Sequence, residues 1–201
     1  MSLMIARNYF TTDYLISPVE SNPNILDMNG EDLIYDYASV DGEEIFWDTE
    51  FEGNIAIASA SNPAHNSYAH QALCGERVRL KWHSGASSSD IIASNRGPEV
   101  QIDGITFNSD SNTLKFHGEE ELWKGNIVCG DGSTRMIDSF FPEGIAYQPL
   151  NGMPLGPDNI FTTDWNDIQI TDTTAGMPSG DNWMVICAYV QNENEIMAVW
   201  D

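Results

Sequence analysis

Three acidic side chains recur at every second position in the segment DTEFEG, residues 48 to 53. In an extended strand Asp48, Glu50 and Glu52 would all point to one side, because successive side chains alternate between the two faces. Retaining glycosidases use two carboxyl groups about 5 to 5.5 Å apart, one as nucleophile and one as acid/base. Next-but-one residues of a strand lie near that spacing. The pattern therefore makes Asp48, Glu50 and Glu52 candidate catalytic residues.

This segment is loosely similar to the catalytic strand of the laminarinase-type glycoside hydrolases, whose pattern is Glu-x-Asp-x-(x)-Glu. Members of that family are β-jelly rolls that carry a nucleophile, an assisting Asp and an acid/base along one strand. The resemblance covers five residues and implies catalysis by Glu50 and Glu52. The order differs from the family's, because Asp48 comes first here and the middle position is Glu50.

Scarce positive charge is gathered in the segment ERVRLKWH, residues 76 to 83. Its alternation predicts a strand with the cations on one face and the apolar residues Val78, Leu80 and Trp82 on the core face. One interpretation is a solvent-side face whose cations pair with acids on neighbouring strands. The other is a docking surface for an acidic partner, including a second copy of this chain. The candidate interface residues are Arg77, Arg79, Lys81 and Trp200.

The net charge of −23, from 31 acidic and 8 basic residues, limits the classes of partner. A field of this sign repels phosphate backbones and anionic membrane surfaces, so we expect neither nucleic acid nor membrane as a partner. It favours solubility, cations and positively charged partners. A bound Ca²⁺ is the one cofactor that the loops suggest, with carboxylate and amide oxygens in TDWND. The candidate ligands are Asp164, Asn166 and Asp167.

The cellular compartment is expected from two further patterns. The N-terminal segment lacks an apolar run long enough for a signal peptide, and no stretch of 18 apolar residues occurs. The three cysteines, Cys74, Cys129 and Cys187, are widely spaced and odd in number, which disfavours a disulfide framework. We therefore expect synthesis in the cytosol with reduced thiols.

Glycine and proline recur every eight to fifteen residues between short apolar or alternating runs, which is typical of an all-β domain. We predict an antiparallel β-sandwich or jelly-roll-like domain over residues 46–201, with long loops and an extended N-terminal arm over residues 1–45. Residues 67–74 could form two helical turns. The predicted strands are 54–58, 76–83, 99–102, 105–108, 113–117, 126–129, 168–171, 183–190 and 195–200.

These features together predict a non-enzymatic structural protein that works by assembly through homo-oligomeric and protein–protein contacts. Cytosolic synthesis, a β-sandwich and an acidic surface kept away from packaged DNA are typical of tailed-phage virion components, such as head decoration, tail, fibre or adaptor proteins. The alternative is a carbohydrate-binding module or a jelly-roll glycoside hydrolase using Glu50 and Glu52. A free acidic protein that binds a basic partner is a third possibility.

Overall fold

A computed structural model of the 201-residue chain gives the architecture. The chain divides into two compact units, Met1–Tyr68 (unit 1) and Ala69–Asp201 (unit 2). The described part of the chain contains no helix with the length and apolar character needed to cross a membrane. The structure describes residues 4–5, 7–29, 35, 48–73, 77–101, 105–117, 122–148, 154–163, 181–192, 195–199 and 201.

Unit 1 is built from turns around a small apolar cluster of Ile5, Leu15, Met28 and Tyr35, with Phe10 and Phe51 packed against it. Two short 3₁₀ helices, η1 (Thr12–Leu15) and η2 (Ile55–Ile57), are its regular elements among the described residues. Backbone bonds tie two distant segments together, since Leu26 N donates to Ala64 O and Ala64 N donates to Asn24 O. The cluster extends beyond residue 45, where the extended arm was predicted to end.

Unit 2 contains a five-stranded sheet in the order β4-β3-β2-β1-β7. Strands β2, β3 and β4 pair antiparallel, as do β1 and β7. The first strand begins at the last residue of unit 1. The sheet strands are β1 (Tyr68–Gln71), β2 (Ile91–Asn95), β3 (Gly125–Cys129), β4 (Thr134–Ile137) and β7 (Met184–Val185).

Two small antiparallel sheets and two short helices complete the regular structure that is described. One sheet pairs β5 (Ala146–Tyr147) with β6 (Gly156–Pro157), and the other pairs β8 (Cys187–Asn192) with β9 (Glu195–Val199). The helices are the α-helix α1 (Arg77–Leu80) and the 3₁₀ helix η3 (Asn112–Lys115).

An aromatic cluster forms the centre of the unit 2 core. The rings of Trp123 and Phe161 meet edge to face at 4.7 Å, and Phe140 meets Phe161 in the same way at 5.9 Å. Trp123 is buried with its Nε1 donating to Arg96 O at 2.9 Å, so its polar atom is satisfied. Aliphatic residues of the sheet pack around the rings, including Ile91 and Ile127.

The structure confirms the all-β class and several predicted strands. Strand β3 and the hairpin of β8 and β9 lie where the apolar runs predicted them. Two further predicted strands, 99–102 and 105–108, contact each other in an antiparallel bridge between Val100 and Phe107, with backbone bonds from Gln101 N to Thr106 O and from Asn108 N to Glu99 O. Three predicted strands are wrong, because residues 55–57, 77–80 and 112–115 are helical. The helix predicted over 67–74 is also wrong, since 68–71 is strand β1. The strand predicted over 168–171 lies outside the described residues.

Gly97 offers a test of core packing, because a Cβ there would lie 2.5 Å from the Phe161 ring. We expect Gly97→Ala to lower the free energy of unfolding by about 1–3 kcal/mol, since the ring is held by its aromatic neighbours. Chemical denaturation measures the change. Gly85→Ala is the matched control, because a Cβ there meets only ordinary contacts with His83. Equal losses in both variants would contradict this account of the core.

Candidate functional site

The basic segment forms helix α1 and a following turn rather than a strand. Lys81 N donates to Arg77 O at 2.9 Å, so these two cations lie one helical turn apart on the same side. Both are buried, whereas Val78 and Trp82 are 49% and 47% exposed. The predicted arrangement, with cations in solvent and Val78 and Trp82 in the core, is therefore wrong.

Arg77 is neutralised inside unit 2. Its guanidinium makes a buried ion pair with Asp181, and Thr163 Oγ1 accepts a further hydrogen bond from the same nitrogen. The guanidinium carbon also lies 5.3 Å from the centre of the Trp183 ring, a cation–π distance. A buried ion pair requires such partners to offset the desolvation of both charges.

Lys81 is held by Asp90, with Nζ 2.6 Å from Oδ1. Ser87 donates to the other carboxylate oxygen through its backbone N and its hydroxyl. Burial alone would raise the pKa of Asp90, but the hydrogen bonds from Lys81 and Ser87 and the charge of Lys81 outweigh it and lower the pKa. The interpretation of cations paired with acids thus holds for Arg77 and Lys81, although within a helix and a turn.

Because both side chains are buried in these ion pairs, Arg77 and Lys81 do not form an exposed basic surface. A partner could reach those side chains only if α1 separated from Asp181 and Asp90. The remaining predicted interface positions are the side chain of Arg79 and residue Trp200, which lie outside the described residues. The predicted Ca²⁺ ligands, Asp164, Asn166 and Asp167, also lie outside them.

The three acidic residues of 48–52 lie in a turn of unit 1, so the predicted catalytic strand is wrong. Asp48 is buried and organises the turn, accepting from Glu50 N at 2.8 Å through Oδ1 and from Phe51 N at 3.2 Å through its carbonyl. Glu52 follows, and its Oε1 accepts from Asn54 N at 2.5 Å. The side chains therefore do not alternate along a strand, and Asp48 acts locally as a turn-forming residue.

Glu50 and Glu52 nevertheless line one cleft of about 350 Å³ in unit 1. A cleft of this volume is at the lower end of the range for small-molecule sites. The hydrolase alternative that uses these two carboxylates stays a prediction. The cleft is lined by Thr49, Glu50, Phe51, Glu52, Ser61, Asn62, Pro63 and His65.

His65 is a member of this cleft that the sequence did not assign to any site. Its ring lies 6.0 Å from Phe51, and its Nδ1 lies 2.9 Å from Leu26 O. A carbonyl oxygen can only accept, so Nδ1 carries the proton and donates it. In the neutral ring Nε2 is then an acceptor. The residue is only 3% exposed.

A second concavity, in unit 2, is apolar. We call it the apolar groove: it has a volume of about 210 Å³ and adjoins the end of strand β4, since Asp138 and Ser139 directly follow that strand. Ile105 and Leu122 are 74% and 60% exposed at its rim. The groove is lined by Ile105, Phe107, Leu122, Trp123, Asp138, Ser139, Phe140 and Phe141.

Comparison with known proteins gives no relative for this chain: no protein family, curated protein or solved structure matches it. Within the residues that the structure describes, no three His, Cys, Asp or Glu side chains lie close enough together to hold one metal ion. The two described cysteines, Cys129 and Cys187, are not joined in a disulfide bond.

The structural role of Arg77 is tested by Arg77→Met. Removing the guanidinium leaves Asp181 as a buried charge without its cation, so we expect a loss of about 3–5 kcal/mol in the free energy of unfolding. Arg135→Met is the matched control, because Arg135 is half-buried and donates to the Glu143 carbonyl; we expect a loss within about 1 kcal/mol. An Arg77→Met chain that kept its stability but lost an oligomeric contact would favour the docking interpretation instead.

Asp90→Asn tests the ion pair with Lys81 through its pH dependence. Because the pKa of folded Asp90 lies below its ordinary value, the carboxylate stabilises the fold above about pH 4, and that contribution is lost as the pH falls through the folded pKa. The stability difference between wild type and Asp90→Asn should therefore narrow from about pH 6 to about pH 2. Denaturation midpoints measure it. Asp110→Asn, at an exposed position, should differ little from wild type in stability, and this difference should change less with pH. A stability difference for Asp90→Asn that did not change with pH would contradict the ion pair with Lys81.

Proposed function

We propose that this protein is a non-enzymatic structural protein that acts by assembly, through contacts between copies of itself and with other proteins. The observation that carries the proposal is the apolar groove. Exposed apolar patches of this kind in soluble domains often mark interaction surfaces, because their burial by a partner removes apolar area from water. Leu122 and Ile105 supply exposed aliphatic surface beside the buried ring of Trp123.

A second copy of this chain is the occupant that we propose for the groove. Strand β4 is the edge strand of the five-stranded sheet as described, and edge strands are templates for pairing with another chain. Met136 is exposed on this strand. On this strand and in the adjoining turns the chain carries Arg135 and the exposed acids Asp131, Asp138 and Glu143, and Arg135 donates to the Glu143 carbonyl. A patch with both signs of charge can be self-complementary about a two-fold axis, where each copy contacts the other with the same surface.

The finer assignments extend the prediction from sequence. We place the protein among tailed-phage virion components, as a head decoration, tail, fibre or adaptor protein, and we propose that its sheets pack as a β-sandwich or jelly roll. The net charge of −23 supports a location outside the packaged DNA, which such a field would repel. The antiparallel sheets support the sandwich.

Leu122→Asp tests the assembly surface. Light scattering on the purified wild-type chain should show an oligomer. The Leu122→Asp oligomer should dissociate at a protein concentration at least about tenfold higher than the wild-type oligomer does, because a charge replaces apolar area at the contact. Leu155→Asp is the matched control, since Leu155 is 67% exposed in the same unit and does not line the groove. It should assemble as wild type does.

Two results would overturn the proposed surface. One is a wild-type chain that stays monomeric at low and high salt, and the other is a Leu122→Asp chain that assembles as well as Leu155→Asp. Repeating the measurement with EDTA tests whether Ca²⁺, predicted at Asp164, Asn166 and Asp167, contributes to assembly.

A further inference from the structure

Strand β4 leaves one edge of the five-stranded sheet open among the described residues, because β3 is its one neighbour there. The four pairs that it makes with β3 run without a register shift, from Val128 with Thr134 to Gly125 with Ile137. The strand contains no proline, so each of its residues carries a backbone N–H. An uninterrupted edge strand of this kind is a template for a further strand.

The hydrogen bonds around β3 show which backbone groups of β4 point outwards. In an antiparallel pair, opposite residues alternate between exchanging two hydrogen bonds and pointing their N–H and C=O groups away from each other. Cys129 N donates to Ser133 O at 2.8 Å, so this is a bonded position. Asn126 N instead donates to Asn95 Oδ1, on the side of β2, and Asn126 is opposite Met136. The backbone N–H and C=O of Met136 therefore point to the open edge.

The two faces of β4 differ, and its hairpin turn is held in place. Ile137 packs against the core of unit 2, whereas Met136 is 49% exposed and Thr134 is exposed as well. Thr134 lies two residues before Met136, so its backbone groups also point to the open edge. In the turn, Asp131 Oδ1 accepts from Ser133 N at 2.9 Å and from the Ser133 hydroxyl at 2.6 Å. An edge that is already formed loses little conformational freedom when another strand joins it.

A second copy of the strand fits this edge in an antiparallel direction, with a two-fold axis at Met136. This register places Met136 opposite Met136 of the second copy and Thr134 opposite Asp138. On the core-facing side, Arg135 is opposite Ile137. The methionine pair buries apolar surface that is exposed in a single copy, and a hydroxyl faces a carboxylate on each side of it. No like charges are directly opposed.

The other two-fold registers of β4 are less favourable. An axis at Arg135 would place two guanidinium side chains directly opposite each other, which is destabilising, and an axis at Asp138 would do the same with two carboxylates. An axis at Thr134 would bring Gly132 into the ladder, although its φ of +82° is left-handed rather than extended. An axis at Ile137 would leave Thr134 opposite residue 140, which lies beyond the strand.

We infer that β4 pairs with β4 of a second copy about the axis at Met136, so that two five-stranded sheets join into one sheet of ten strands. This inference rests on the proposed assembly function and specifies its contact as main-chain hydrogen bonds at the sheet edge. Asp138 and Ser139 of the apolar groove directly follow β4, so the two grooves would lie beside the same axis. Each copy carries a net charge of −23, so the copies repel each other and added salt should strengthen the pairing.

Met136→Pro is the first test, because proline lacks the N–H that bonds the second copy and leaves the bonds between β4 and β3 in place. Light scattering should show that this variant dissociates at a protein concentration at least about tenfold higher than wild type does, since the dimer loses the two main-chain hydrogen bonds at its centre. Met136→Leu keeps the N–H and is the matched control. It should assemble within about threefold of wild type.

Cysteine substitution tests the register without a proline in the strand. In the inferred dimer the two Cα atoms of residue 136 lie about 5.5 Å apart, within reach of a disulfide, whereas the two Cα atoms of residue 134 lie about 14 Å apart. Oxidation should therefore join two Met136→Cys chains and leave two Thr134→Cys chains separate. Wild type, with its three native cysteines, gives the background. Added salt should increase the yield of joined Met136→Cys chains.

Three results would overturn the edge pairing. One is a Met136→Pro chain that assembles as Met136→Leu does, and another is equal joining of the Met136→Cys and Thr134→Cys chains. If Leu122→Asp still dissociates in either case, the apolar groove stands as an assembly surface and the edge pairing alone fails. The third is a wild-type chain that stays monomeric at low and high salt, which overturns the proposed function as well.

Discussion

The adjacent buried residues Asp181 and Asn182 form the polar junction on which unit 2 depends. Asp181 neutralises Arg77 of helix α1. Asn182 donates to Asp158 Oδ2 through its backbone N and its amide, while its Oδ1 accepts from Ile91 N, at the start of strand β2. Buried polar groups are tolerated only when they are paired. The helix, the sheet and the loop before β7 must therefore pack together to satisfy one another.

The two concave regions are likewise formed beside bonded or packed residues, although they lie in different units. The apolar groove is formed over the packed rings of Trp123 and Phe140, so its floor belongs to the core of unit 2. The cleft of unit 1 adjoins a turn that Asp48 organises. In each case a few exposed side chains project from a backbone that local bonds or packing already hold.

The apolar runs of β3 and of the β8–β9 hairpin predicted strands correctly, whereas the apolar run of 54–58 and the alternating run of 76–83 did not. Strand β3 could be predicted because its residues are mostly apolar. The spacing within residues 77–81 also places Arg77 and Lys81 one helical turn apart. The ion pairs of these two residues with Asp181 and Asp90 favour the helix over a strand. Strand β2 was missed because it contains Ser94 and Asn95, and only the fold shows that Asn95 Oδ1 accepts from Asn126 N. The residues of the candidate sites also differ in how far local sequence spacing could predict them. Glu50 and Glu52 line one cleft through a turn rather than a strand, whereas the position of His65 and the whole apolar groove depend on residues that no local pattern connects.

The internal ion pairs also affect the balance of the charges that remain outside them. Three of the eight basic residues, Arg77, Lys81 and Arg96, are paired internally with Asp181, Asp90 and Asp201, so 28 acids face only five bases elsewhere in the chain. The net charge is unchanged, but it is carried by groups with few neighbouring cations. At low salt the protein should therefore behave as a polyanion surrounded by many mobile counterions. Its hydrodynamic radius and its electrophoretic mobility should both decrease as salt is added.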